Sequence, residues 1–177
     1  FSIDFTRTGE MTDVETDIAI VTAGDILSSG TAINNTIKSG MSANLPENSF
    51  SLETTAFLER YSYRYELIVE NEDPEIAATW ANLWAEEGLA LLNQAKLHAL
   101  NADSLYKQLL AAQDCLQQPG YVEPVTAGCQ GLSNAELEEK LAGFNQAYLE
   151  EKDKSLGYLP AMDYTLTRQA EPAAQPE

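Results

Sequence analysis

From Tyr61 to Val69 the apolar residues occupy every second position (Tyr61, Tyr63, Tyr65, Leu67, Val69), with Ser62, Arg64 and Glu66 between them and Ile68 as the one exception. A period of two is the signature of a half-buried strand. The pattern stops at Asn71-Glu72-Asp73-Pro74. An aspartate there can accept hydrogen bonds from the free N–H groups of a helix start, and proline suits the first helical position because no N–H partner is needed. A helix is therefore predicted from Pro74. Beyond it, Ala77, Ala81, Trp84, Gly88, Leu91, Ala95, His98, Ala102, Leu105, Leu109, Ala112 and Leu116 follow in alternating steps of four and three, a heptad-like seam. About 43 residues at 1.5 Å per residue predict a rod of roughly 65 Å, longer than a core of this size. Small seam residues let a partner helix come close, either a second helix of this chain or one from another subunit. The same stretch also suits one amphipathic helix lying on its own sheet.

The remaining pattern supplies shorter elements. Phe1, Ile3 and Phe5 alternate with Ser2, Asp4 and Thr6 as a first strand, and a second strand is expected around Thr16–Val21, with Ile18 and Ile20 on its apolar face. Ile26, Leu27, Ile33 and Ile37 read as a short helix broken or recapped at Ser28-Ser29-Gly30. Asn44 to Ser51 is a loop around Pro46, and Leu52 to Leu58 is either a helical turn or the approach to the long strand. Ser133-Asn134-Ala135-Glu136 is a capping box. It opens a helix to about Ser155 with Leu137, Leu141, Phe144 and Tyr148 on one stripe and Gly157 closing it, the natural antiparallel partner for the distal half of the long helix. Met162, Tyr164 and Leu166 alternate as a last strand, after which Pro172 and Pro176 forbid both helix and ladder pairing, leaving an extended strap.

Composition narrows the function classes. At 177 residues and 44% hydrophobic, one globular domain is the expectation. A net charge of −18 with only 10 Lys plus Arg argues against nucleic acid and against direct docking on an anionic lipid surface. No apolar run reaches the 18 or so residues of a membrane span. The chain opens on Phe1 and ends in Pro-rich sequence, which suggests a fragment whose missing flanks hold membrane segments. Cys115 and Cys129 bracket a Pro- and Gly-rich loop. A disulfide between them would stabilise by about 3 kcal/mol and imply an oxidising compartment. The alternatives are two inert thiols or a metal site, the latter disfavoured because there is no CxxC and the single histidine is distant.

Candidate chemistry is thin. A Ser or Cys triad would depend entirely on His98, which sits on the helix seam. Glu70, Glu72, Asp73, Glu75, Glu86 and Glu87 offer carboxylate pairs for glycoside chemistry, but with 28 acids such pairs arise by chance. Glu136, Glu138, Glu139, Glu150 and Glu151 are a solvated helix face. Tyr61, Tyr63 and Tyr65 have the faces to stack sugars, yet alternating strand tyrosines are more often core. No phosphate loop, HExxH or EF-hand pattern occurs. No catalytic residue, cofactor or metal is expected.

The run Asp73-Pro74-Glu75-Ile76-Ala77-Ala78-Thr79-Trp80-Ala81-Asn82, coming off a strand and opening a long helix, resembles the motif of the polysaccharide co-polymerases, the Wzz-type chain-length determinants of bacterial envelope polysaccharides. Its motif and helix-cap positions are Asp73, Pro74, Ala77, Ala78, Ala81 and Asn82. The segment Ile26-Leu27-Ser28-Ser29 through Ile37 is similar to the family's leucine and serine stretch with its short helix. The strap Ala170, Pro172, Pro176 resembles the family's approach to a second membrane helix, though the prolines lie four apart where the family repeats them every third residue. The stretch from about Leu100 to Leu159 has no counterpart beyond being helical.

The fold expected is α+β, a small mixed sheet packed by a short helix, with one very long helix projecting and pairing with a second. Within the single domain, 1–73 and 160–169 form the base, 74–155 a helical hairpin arm and 170–177 the exit strap. The resemblance implies a non-enzymatic homo-oligomer anchored in the bacterial inner membrane by missing flanking helices. This domain would lie on the periplasmic or extracellular side, beside a polysaccharide polymerase and its growing polysaccharide. Trp84, Gly88, Leu91, Ala95 and Leu105 are then candidate seam or oligomer contacts. An extracellular binding or scaffold module using the long helix for a protein partner is the alternative, and a carbohydrate-active enzyme a more distant one.

Overall fold

A computed structural model describes residues 1–46, 49–50, 55–59, 63–117 and 133–173. Element order is β1 (Ser2–Arg7), α1 (Asp13–Leu27), α2 (Gly30–Ser42), β2 (Thr55–Glu59), β3 (Arg64–Ile68), α3 (Pro74–Gln117), α4 (Asn134–Lys154) and β4 (Met162–Arg168), an α+β fold. The four strands form one sheet in the order β2-β3-β1-β4 with every pairing antiparallel, so the expected mixed sheet is corrected. An antiparallel ladder follows because β2 and β3 are joined directly and β1 receives both β3 and the returning β4. Ser2 pairs with Glu66 on one side and Arg168 on the other, and Phe5 lies opposite Tyr164.

The strand expected from Thr16 to Val21 is instead the middle of a helix. Thr12 caps α1, its hydroxyl accepting from the Glu15 N–H while the Glu15 carboxylate accepts from the Thr12 N–H at 2.8 Å, a reciprocal capping box. Thr16, Ala19, Ile20, Ala23 and Leu27 form the buried face at helical spacing, whereas Ile18 and Val21 point outward. Recapping at Ser28-Ser29 is present: α1 ends at Leu27, and the Ser29 hydroxyl accepts from the Ala32 N–H to start α2. The strand at the centre of the chain is shorter than its pattern, since Tyr63 adopts φ 51 and the ladder begins at Arg64. Tyr61 lies outside the described residues.

The chain divides into two compact units, Phe1–Gln94 with Ala161–Glu177 and Ala95–Pro160. The division falls inside α3, between Gln94 and Ala95, and not at the helix start. In the first unit the sheet face carrying Ile3, Phe5, Tyr65, Leu67 and Met162 is buried. α1 packs on it closely, because a Cβ on Gly24 would meet the Tyr65 hydroxyl at 2.2 Å. α2 meets α3 at Gly40, where a Cβ would fall 1.9 Å from the Trp80 ring. Trp80 and Trp84 are fully buried, and their indole N–H groups donate to the Ser49 hydroxyl and the Leu27 carbonyl, each at 2.8 Å. The second interaction also satisfies a carbonyl left free where α1 ends.

In the second unit α4 runs antiparallel to the distal part of α3. Its own capping box at Ser133 and Glu136 is formed. His98 and Asn101 reach Glu151, Tyr106 meets Tyr148, and Leu137 packs with Cys115 and Leu116. Ser155 caps α4, and Gly157 follows at φ 80, a conformation open to glycine without strain.

Candidate functional site

The motif, cap and strap residues singled out in the sequence lie around the start of α3. The Asp73 carboxylate accepts from the N–H groups of Glu75 (2.9 Å) and Ile76 (3.3 Å), and its carbonyl takes the first helical bond from Ala77. Asn71 orients this cap: its side-chain oxygen accepts from the Asp73 N–H at 2.9 Å while its amide donates to the Ser49 carbonyl at 2.7 Å. Ala78 and Ala81 are buried on the side of the helix that faces the rest of the unit, and Pro74 and Ala77 are half-buried.

Two turns further on, Asn82 makes a contact that no local pattern announces. Its Oδ1 accepts from the Ala170 N–H at 2.9 Å, and its Nδ2 donates to the Ala170 carbonyl at 3.1 Å. The side-chain amide thus pairs with one residue of the strap as a neighbouring strand would, giving that backbone the partners it lacks once β4 has ended. Pro172 follows, exposed, while Pro176 lies outside the described residues. A cleft of about 400 Å³ adjoins this clamp, lined by Phe1 and Ser2, the helix start at Pro74 and Ala77, and the strap at Arg168 and Ala170.

Beside it the strand ends are tied together. Asp4 accepts from Arg64 at 2.6 and 3.0 Å, a forked pair across β1 and β3, and the Arg64 hydrogen bond holds the Asp4 carboxyl below its ordinary value. Thr167 on β4 donates to the Ser2 carbonyl at 3.2 Å. β1 therefore starts, and β4 ends, on adjacent strands at one end of the sheet.

The seam residues separate into two groups. Trp84 and Gly88 are buried within the first unit, Gly88 against Leu27, whose Cδ2 a Cβ there would meet at 2.8 Å. Ala95 is buried in the second unit, and Leu91 and Leu105 are half-buried. The buried face is wider than the seam: Ala81, Trp84, Gly88 and Ala95 of the seam are buried, and so are Ala78, Ala85, Leu92 and Ala99 beside it. Trp80, which the seam omitted, is as deeply buried as Trp84. Cys115 is disulfide-bonded, and Cys129 lies outside the described residues.

His98 Nδ1 is 2.8 Å from the Glu151 carboxylate, which also accepts from Asn101 at 3.0 Å. These two hydrogen bonds, His98 first, lower the Glu151 pKa. The arrangement is a polar tie between α3 and α4. Among the described residues no group of three or more His, Cys, Asp or Glu side chains is placed to hold a metal ion, and no helix is long and apolar enough to cross a membrane. Compared with protein-family models, curated proteins and solved structures, the chain matches none of them.

Proposed function

We propose that the chain is the extracytoplasmic domain of a membrane-anchored, oligomeric, non-enzymatic regulator of polysaccharide chain length. It would act beside a polymerase that extends an envelope or secreted polysaccharide. The observation that carries this reading is the pairing of the start of β1 with the end of β4, with the strap clamped by Asn82 to the first turns of α3. Flanking segments attached at these points would leave side by side, as two membrane anchors require. The helix that opens with the family-like run is tied to the outgoing strap, so a displacement of the anchors is felt at the base of α3. Several subunits side by side, with their long helices lining a common assembly, would then govern how long the polymerase extends each chain.

The test is the size distribution of the host's surface or secreted polysaccharide after deletion and restoration of the full-length gene. The expected outcome is collapse of the modal length and its return. An unchanged distribution would overturn the proposal. A scaffold module is favoured in that event by Leu97 and Leu100, which lie 58% and 44% exposed on α3 and suit a protein partner.

A further inference from the structure

The second unit holds a groove of about 220 Å³ whose floor is Ala99 and Ala102 of α3. The short side chains leave the space open, and the turn at Gly157 bounds it. On its wall Tyr106 and Tyr148 stand with ring centroids 5.5 Å apart and planes inclined by 38°, Tyr106 being 44% exposed. Neither tyrosine hydroxyl has a hydrogen-bond partner among the described residues. Lys152 sets its ammonium 5.5 Å from the centre of the Tyr148 ring. Asp103, which also lines the groove, is engaged by Lys107 at 2.6 Å through one of its two oxygens.

We propose that this groove binds one hexopyranose unit of a neutral saccharide. Aromatic faces carry the negative side of a quadrupole, and the C–H bonds on one face of a pyranose present the matching positive side. The sugar's edge is all hydroxyl, which suits a carboxylate acceptor at Asp103, an ammonium donor at Lys152 and two free phenols. At 220 Å³ the groove is smaller than the roughly 300 Å³ at which pockets for drug-sized molecules begin, so it takes a single ring. Charge decides between sugar classes: a chain of net charge −18 repels an acidic polysaccharide, whereas a neutral one meets no such penalty. For the source of its saccharide the inference rests on the chain-length reading; the chemistry of the groove does not.

The experiment titrates the whole chain with maltotriose, cellotriose and, as the acidic comparison, trigalacturonate, following the tyrosine ring signals by NMR. At least one neutral trisaccharide should shift the Tyr106 and Tyr148 signals saturably with a Kd of about 1 mM, a value usual for one weak site. Tyr106→Ala should weaken binding at least tenfold and Tyr106→Phe by no more than about twofold, since the stacking face survives. Asp103→Asn, which keeps shape and fold, should also weaken it several-fold. The proposal is overturned if neither neutral sugar moves these signals at about 20 mM, far above that range, if Tyr106→Ala and Asp103→Asn both bind like the wild type, or if trigalacturonate binds more tightly. No sugar binding alongside a collapsed modal length in the deletion strain removes the groove and leaves the chain-length reading standing. Binding alongside an unchanged distribution does the reverse.

Discussion

The proximal part of α3, up to Gln94, buries two tryptophans among its small residues, whereas its distal part, from Ala95, buries mostly alanine. Proximally Trp80 and Trp84 supply the bulk, and Gly40 of α2 leaves the space for the Trp80 ring. Phe50 completes the cluster with ring centroids 4.9 Å from Trp80 and 6.5 Å from Trp84. Distally the buried positions are Ala95, Ala99, Ala102 and Ala112 with Leu109 as the one large member before Cys115. Alanines bury little apolar area, so that part relies on ties of other kinds: the His98 and Asn101 bonds to Glu151 and the disulfide at Cys115. One helix thus contributes to an aromatic core in the first unit and to a thin helix pair in the second.

Substituting the large side chains tests this contrast most strongly. Trp84→Ala should destabilise the first unit by about 3–5 kcal/mol, the range for emptying an aromatic site in a core, and it also leaves the Leu27 carbonyl without its 2.8 Å donor. Leu109→Ala should cost the second unit less, about 2 kcal/mol, the low end for a buried leucine. Denaturant titrations read by hydrogen exchange in each unit give both values. Equal losses would mean that the distal helix pair is not the thinner core.

That contrast was only partly legible in the sequence, for a physical reason that recurs. Caps are local, so Asp73 and Ser133 placed the starts of α3 and α4 correctly, and the alternation of Ile3 with Phe5 and of Met162 with Tyr164 placed β1 and β4. α1 was misread because three of its large residues, Val14, Ile18 and Val21, are exposed at 68%, 53% and 48% while small ones, Ala19, Ala23 and Gly24, share the buried face with Ile20 and Leu27. Counting large apolar residues then suggests a strand, and the decisive signal was the Thr12–Glu15 capping box. The seam on α3 marked only part of the buried face, since Ala78, Trp80, Ala85, Leu92 and Ala99 beside it are buried as well, and one position per turn cannot describe a stripe that wide. At the candidate site, both Asn82 and Ala170 could be singled out separately, but their pairing spans 88 residues and exists only because β4 returns beside β1.

A smaller effect is expected where that pairing is cut. Asn82→Ala removes two hydrogen bonds at a partly buried position, worth about 1–2 kcal/mol together. The loss should be local: the Ala170 amide should exchange about tenfold faster, with global unfolding shifted by no more than about 0.5 kcal/mol. Asn82→Asp should release the strap as well, because it replaces the donor to the Ala170 carbonyl with a second acceptor. An unchanged Ala170 amide in both variants would show that the strap is held by its other neighbours.

The smallest effects are set by pH, and they separate the two units on the alkaline side. In the first unit the Tyr164 hydroxyl sits 3.4 Å from the Leu89 carbonyl, and burial, with Asp163 adding to it, pushes its pKa from 10.0 up to about 12. A raised acid is held neutral by folding, so its contribution is complete below pH 10 and is lost as pH climbs towards 12. In the second unit the Glu151 carboxylate is depressed below the ordinary 4.5, chiefly by His98 and then by Asn101. Its contribution is complete above 4.5 and disappears as pH falls through the lowered value. Asp4, depressed by Arg64, adds an acid-side loss to the first unit, so only the alkaline limb separates the two. Tyr164→Phe should flatten the decline of the first unit between pH 10 and 12 without moving the second. Glu151→Gln should match the wild type at low pH and fall behind it at neutral pH in the second unit alone. A Tyr164→Phe protein that still loses its first unit over the same alkaline range would place that titration on another group and erase this part of the contrast.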